Sequence, residues 1–313
     1  MSLRPRRMAF TTGLLLLALV IALGSCSKLS KPSAKLFASP DEASNGLLAA
    51  VRSGDQNAAL AILGADSKDL IESGDAVQDK NVAQAFAAKY EVMHRWRKLS
   101  DGAQVLLVGA DNFSFPIPLK KNEGGQWFFD AAAGRDEVLS RRIGRNELAI
   151  IEACGAVAEA QALYFSQVHD GETTNQYATK FISDAGRQNG LYWEAAAGQP
   201  ESPLGPMAAF ASAEGYSVKP DAHKPFRGYY FHMLKGQSNN APGGAKEYVV
   251  NGKMVGGFAL VAYPAEYANS GVMTFIINQD GVLLQKDLGK TTTETATAMS
   301  GFDPDGSWVI VEE

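Results

Sequence analysis

Met254 to Lys286 reads MVGGFALVAYPAEYANSGVMTFIINQDGVLLQK. It resolves into three apolar runs, Met254–Tyr263, Val272–Asn278 and Val282–Lys286, separated by turn chemistry. Asn269-Ser270-Gly271 and Asp280-Gly281 supply the small and left-handed-tolerant residues that join antiparallel strands. Upstream, Gly228–Leu234 and Glu247–Val250 read as two more strands, with Asn251-Gly252 as a further hairpin turn. The pattern predicts an antiparallel meander. Before it lies the longest helical stretch, Arg135 to about Val168, with an expected break near Ile143-Gly144-Arg145 and Asn146 capping the second part. Leu148, Ile151, Gly155, Ala158, Ala162 and Phe165 recur at helical spacing, which predicts the face that meets the sheet. Residues 183–227, rich in Gly, Pro, Ser and Ala, read as a long ordered loop with a short helix at Met207–Ala213.

The first half has a different grammar. Ser39-Pro40-Asp41-Glu42 offers a capping hydroxyl, a proline at the first helical position and a capping-box glutamate. Ser53-Gly54-Asp55 stops that helix and caps a second, and a third is expected from Asp79 to Leu99. Three strands follow, at Gln104–Gly109, Phe113–Leu119 and Gln126–Asp130. Pro116 and Pro118 demote the middle one to an edge or irregular strand. Helices followed by a small antiparallel sheet, then a helix over a meander, give an α+β chain. The expected division is residues 1–25 as signal peptide, 26–36 as tether, 37–145 as an N-terminal α+β domain and 146–313 as a C-terminal domain.

The N-terminus carries an address. Arg4, Arg6 and Arg7 precede the unbroken apolar run Leu14–Leu23, and Leu23-Gly24-Ser25-Cys26 ends it. That order is the pattern of a bacterial export signal, and its last four residues look like a lipobox, with Cys26 as the acylated residue. The run is too short for a dedicated membrane span. Removing residues 1–25 takes away three arginines and no acid, so the net charge of −5 becomes −8. An acidic chain has no electrostatic reason to bind nucleic acid. The expected partner is a lipid bilayer, reached through acylated Cys26. With two cysteines in all, a lipidated Cys26 leaves Cys154 alone, and no intrachain disulfide can form.

Candidate chemistry is thin. Gly289-Lys290-Thr291 resembles the tail of a P-loop, but the position five before the glycine is Leu284, so no phosphate cradle and no nucleotide are expected. Asp303-Pro304-Asp305-Gly306-Ser307 and Asn278-Gln279-Asp280-Gly281 hint at calcium loops without the alternating ligands or terminal glutamate one needs; both read as turns. His94, His169, His223 and His232 do not pair at metal-ligand spacing. The basic run His94, Arg95, Arg97, Lys98 reads as a helix C-terminus, and Cys154 as a core thiol. No catalytic residues, metal site or cofactor are expected. The aromatics of the second half suggest a recognition surface on loops held by a rigid scaffold. Its candidate residues are Tyr192, Trp193, Glu201, Pro203, Tyr263, Glu266 and Tyr267.

Several runs resemble the DUF2950 family of bacterial exported proteins. They include Arg141-Arg142-Ile143-Gly144-Arg145-Asn146-Glu147, Gly190-Leu191-Tyr192-Trp193, Glu201-Ser202-Pro203-Leu204-Gly205-Pro206, Gly228-Tyr229-Tyr230-Phe231 and the Gly256–Tyr267 stretch, within a resemblance that runs from Phe37 to Trp308. The family is defined by sequence, so the resemblance implies no activity. The first half is loosely similar to NTF2-like or cystatin-like domains, and the helix-plus-meander half is similar to a pilin head. The resulting expectation is a lipid-anchored, periplasm-facing envelope protein, leaning to the outer membrane, that binds or assembles with an envelope protein or glycan. Two alternatives stay open: an envelope-polymer hydrolase with a site between the domains, and a glycan or peptide binding module.

Overall fold

The computed structural model describes residues 34–219 and 224–312. The expected signal peptide, Cys26, most of the tether and His223 lie outside them. Ser33–Glu313 forms one compact unit.

The N-terminal lobe begins with α1 (Pro40–Ser53), α2 (Gln56–Leu63), α3 (Lys68–Ile71) and α4 (Ala76–Val92). The capping residues act as the sequence requires. Ser39 Oγ accepts the Glu42 amide at 3.1 Å while Glu42 reaches back to the Ala38 amide at 2.9 Å. Gly54 closes α1 in the left-handed conformation, φ 66°, which costs a residue without Cβ little. Asp55 then caps α2. A five-stranded antiparallel sheet follows: β1 (His94–Lys98), β2 (Gln104–Val108), β3 (Phe113–Ser114), β4 (Leu119–Lys121) and β5 (Trp127–Phe129). Pro116 and Pro118 divide the expected middle strand into β3 and β4, because neither can donate to a ladder. Phe37 pairs with Trp127 through two 2.8 Å main-chain bonds, and Lys35, inside the expected tether, donates to Ala61 O at 2.8 Å.

One expectation in this lobe is corrected. The third helix starts at Ala76, capped by Asp75, and ends at Val92; His94–Lys98 is strand, not helix. Trp96 turns toward the core while His94, Arg95, Arg97 and Lys98 stay exposed. The basic run is therefore an edge strand, where charge discourages pairing with other chains.

Next comes α5 (Ala131–Phe165), capped by Asp130, which runs unbroken through Ile143-Gly144-Arg145. The expected break does not occur, since a single glycine costs a 35-residue helix only about 1 kcal/mol. The buried stripe is Ile150, Cys154, Val157, Gln161 and Tyr164, one residue (about 100° of rotation) from the expected one; Leu148 is exposed. After a long ordered segment and α6 (Gly205–Ala213), the second sheet begins with β6 (Tyr229–Leu234). An excursion then carries the short strands β7 (Gly236–Gln237), β8 (Lys246–Glu247), β9 (Val249–Val250) and β10 (Lys253–Met254). The sheet resumes with β11 (Ala259–Pro264), β12 (Met273–Asn278) and β13 (Leu284–Asp287), then α7 (Thr292–Ala298), β14 (Gly301–Phe302) and β15 (Val309–Ile310).

The sheet order is β15-β13-β12-β11-β6, all antiparallel. The 247–250 segment is not in it, which corrects the expected meander: Asn251-Gly252 turns β9 back onto β10, and β6 pairs directly with β11. Strand alternation sorts the side chains. Leu260, Ala262, Phe275 and Ile277 face α5, while Ala259, Val261, Ile276 and Leu284 face the layer containing α7. Each buried Leu, Val, Ile or Phe among these stabilises by roughly 1.5–3 kcal/mol. The chain is α+β, as its patterning predicts.

Candidate functional site

The turn between β11 and β12 was expected to be a recognition loop. It is packed instead against the N-terminal lobe. Asn269 Nδ2 donates to Glu72 O at 3.0 Å and to Glu266 Oε2 at 2.7 Å. From α5, the Arg142 guanidinium donates to Asp69 O at 2.7 Å, to Leu70 O at 2.8 Å and to the Asn269 side chain. Gln78 Nε2 donates to Asn146 Oδ1 at 2.7 Å, and Asn146 Nδ2 donates to Ser270 O at 2.8 Å. Glu147 Oε1 accepts the amides of Val272 and Met273, both at 2.9 Å. Asp75 caps α4 with Oδ1 and with Oδ2 accepts Tyr216 OH at 2.8 Å and the Gly228 amide at 3.0 Å.

This joint is buried and rich in polar contacts, with Gln78 Oε1 the one buried atom of these side chains left without a partner among the described residues. Asp75, Gln78, Arg142, Asn146 and Ser270 are all under 8% exposed. Close approach makes glycine obligatory at Gly228 and Gly271: a Cβ there would sit 2.7 Å from Asn146 Nδ2 and 2.1 Å from Tyr229 OH respectively. Burial shifts the titrating groups. Asp79 is held above the usual carboxylate range by desolvation, against hydrogen bonds from Ser73 and the charge of Arg142. Tyr216 is pushed up by burial and by neighbouring Asp75, and Tyr229 by burial and Glu147. The run Arg141–Glu147 is thus a clamp between the two halves.

The seven expected surface residues are not brought together. Tyr192, Trp193, Glu201 and Pro203 share one neighbourhood beyond the C-terminal end of α5. There Trp193 Nε1 donates to Pro200 O at 3.2 Å, its ring lies 5.7 Å from that of His169, and the Leu204 amide bonds Leu191 O. Glu266 and Tyr267 sit near Arg142, 22 residues or about 33 Å of helix rise before the Tyr164 that stacks on His169; Tyr267 OH donates to Asp287 Oδ2 at 3.3 Å. Tyr263 is on the other sheet face, beside Tyr230 and His232 and hydrogen-bonded to Thr297.

A concavity of about 480 Å³ opens instead where α7, β13 and the C-terminal turn meet. Leu288, Ala298 and Met299 give it an apolar floor; Lys286, Asp303, Asp305 and Trp308 rim it. Asp303 Oδ1 accepts Ser238 Oγ at 2.5 Å and Asn240 Nδ2 at 2.7 Å. Asp305 accepts the Ser307 amide at 2.8 Å, and its carboxyl lies below the ordinary range because of the Ser307 bonds, with Lys286 adding a smaller effect. Lys286 Nζ is 3.8 Å from Asp305 Oδ2 and 5.7 Å from the centre of the Trp308 ring. The Asp303–Ser307 run is a turn, as its sequence reads, and it carries the rim of this cavity, which the sequence did not signal.

Among the described residues, nucleophile and base side chains are not assembled around either place. His94, His169 and His232 each donate a ring N–H to a main-chain carbonyl, those of Tyr90, Tyr164 and Met299. Cys154 is fully buried, and burial alone pushes its thiol up to about 12. Among the described residues, no three His, Cys, Asp or Glu side chains cluster as metal ligands would.

The chain belongs to the DUF2950 family: that profile, described as a protein of unknown function, matches residues 34–311. No curated protein and no solved structure matches the chain.

Proposed function

We propose that this DUF2950 chain is a lipid-anchored bacterial cell-envelope protein, periplasm-facing, whose folded body binds a partner or ligand rather than performing catalysis. The observation that carries the reading is the N-terminal order of Arg4, Arg6 and Arg7, the apolar run Leu14–Leu23, and Leu23-Gly24-Ser25-Cys26. Acyl chains on Cys26 supply the membrane affinity, at about 0.8 kcal/mol per buried methylene, and more than one chain gives a stable anchor. Lys35 is tied to the folded body through its bond to Ala61. Residues 27–34 can reach at most about 29 Å when extended, so the body works close to the bilayer. Ser27 in place of an aspartate favours the outer membrane. Support for binding over catalysis comes from the three imidazoles spent on carbonyls and the inaccessible thiol.

The test is fractionation of cells expressing the wild type and Cys26→Ala, with a clickable fatty-acid label. The wild type is labelled and sediments with membranes, whereas the variant is unlabelled and leaves the membrane fraction. Labelling that persists in the variant overturns the proposal.

A further inference from the structure

We infer that the cavity beside Trp308 is a carbohydrate site that takes a neutral pyranose sugar, with the aspartates as hydroxyl acceptors and the indole as an apolar wall. The inference deepens the binding half of the proposed function and stands on the cavity alone, not on the anchor.

The rim is held by the protein from one side. Asp303 uses Oδ1 for Ser238 and Asn240, and Asp305 uses Oδ1 for Ser307. Each carboxylate is thereby fixed by the protein through one oxygen. The second oxygen of Asp303 has no protein donor among the described residues, and that of Asp305 faces Lys286 Nζ at 3.8 Å, too far for a direct hydrogen bond. Two oriented acceptors and one three-donor ammonium match a ring whose neighbouring hydroxyls both donate and accept. Trp308 is half-buried against the core that includes Leu284 and Phe302, so its position is set by packing rather than by the ligand. A large flat side chain with a polar edge suits the C–H face of a sugar ring. The hollow is open to solvent along one side, and its volume of about 480 Å³ has room for a sugar ring.

Charge excludes the obvious competitors. Two carboxylates against one lysine repel phosphates and other anions. A divalent cation would need more oxygen ligands than the two aspartates supply, and no metal-type cluster is present among the described residues. The mixed acceptors and donors of the rim fit a neutral polyol.

The experiment is calorimetric titration of the detergent-solubilised full-length protein with maltotriose and with N,N′,N″-triacetylchitotriose, with glucosamine as a cationic control. At least one neutral oligosaccharide should bind with a dissociation constant on the order of 0.1–1 mM. Trp308→Ala should weaken it roughly tenfold, the loss of one aromatic contact and its apolar area. Asp305 is exposed, so Asp305→Asn leaves the fold intact and reports on recognition alone; it should weaken binding several-fold with an unchanged melting temperature. No heat from either neutral sugar up to about 10 mM, equal binding in wild type and both variants, or binding of glucosamine alone would each overturn the inference. None of these outcomes bears on the anchor, because Cys26→Ala should bind the same sugar as the wild type.

Discussion

Three glycines of α5 should respond to alanine with opposite signs. In the interior of a helix, Gly→Ala gains about 1 kcal/mol, because alanine loses less backbone freedom on folding. Gly144 and Gly155 have no atom within 4 Å of where a Cβ would sit. Gly144→Ala and Gly155→Ala should therefore each stabilise by up to about 1 kcal/mol. Gly134 lies at the start of the helix against the N-terminal lobe, where an added Cβ would meet Ile117 Cα at 2.7 Å, Pro116 O at 2.8 Å and Ile117 Cγ1 at 2.9 Å. Two of those atoms are backbone, in a segment stiffened by Pro116 and Pro118, whose φ angles are fixed. Overpacking of that kind costs roughly 1–3 kcal/mol, and because the obstacle cannot swing away, the upper part of that range applies. Gly134→Ala should then destabilise by at least about 1 kcal/mol net. Urea unfolding followed by circular dichroism at 222 nm reads all three variants. A Gly134→Ala midpoint at or above the wild type would refute the close approach of α5 to the 116–118 segment. A lowered midpoint for Gly144→Ala would refute the continuity of the helix through residue 144.

Other consequences follow from the joint. Arg142→Ala strips donors from Asp69 O, Leu70 O and Asn269, and should cost about 1–3 kcal/mol in urea unfolding for each carbonyl left without a donor; Arg142→Lys should recover only part, since an ammonium cannot fork to two carbonyls. Alkali should weaken the fold. Tyr164 and Tyr248 are pushed up to about 12, and Tyr216 and Tyr229 higher still, chiefly by burial. Below pH about 10 the phenols are protonated in both states; above it the unfolded chain loses protons first, so stability falls by at most about 1.4 kcal/mol per pH unit for each tyrosine. A urea midpoint unchanged between pH 9 and 11 (about one unit either side of the free phenol value) would contradict this. At the acid end, the raised Asp79 carboxyl binds its proton more tightly in the folded state, so stability from this group is present below pH about 4 and lost as pH rises. Asp79→Asn should flatten that part of the profile, measured as the pH dependence of the urea midpoint.

Local chemistry was the legible part of this fold. The Ser39 and Asp55 caps, the proline-split strand and the Asn251-Gly252 hairpin depend on a few adjacent residues, and each forms as its sequence implies. What failed was decided at a distance. His94–Lys98 continues a helical pattern, yet pairing with Gln104–Val108 wins it for the sheet. The stripe on α5 was misassigned by one residue because alanines and glycines make several faces look equally apolar, and only the sheet selects Ile150-Cys154-Val157. Polar residues gave the weakest signal. Gln78, Asn146 and Asn269 carry no pattern that announces burial, and their meaning exists only once two lobes meet. The cavity rim at Asp303 and Asp305 looked like turn chemistry, which it is; that Lys286 and Trp308 face the same hollow is a fact of topology.

Intact-protein mass spectrometry of the chain purified from bacterial membranes decides whether the lipid anchor exists. The mature protein should begin at Cys26 and be heavier than the residue 26–313 polypeptide by its acyl chains and glycerol. An unmodified mass, or a chain that retains residues 1–25, would contradict it.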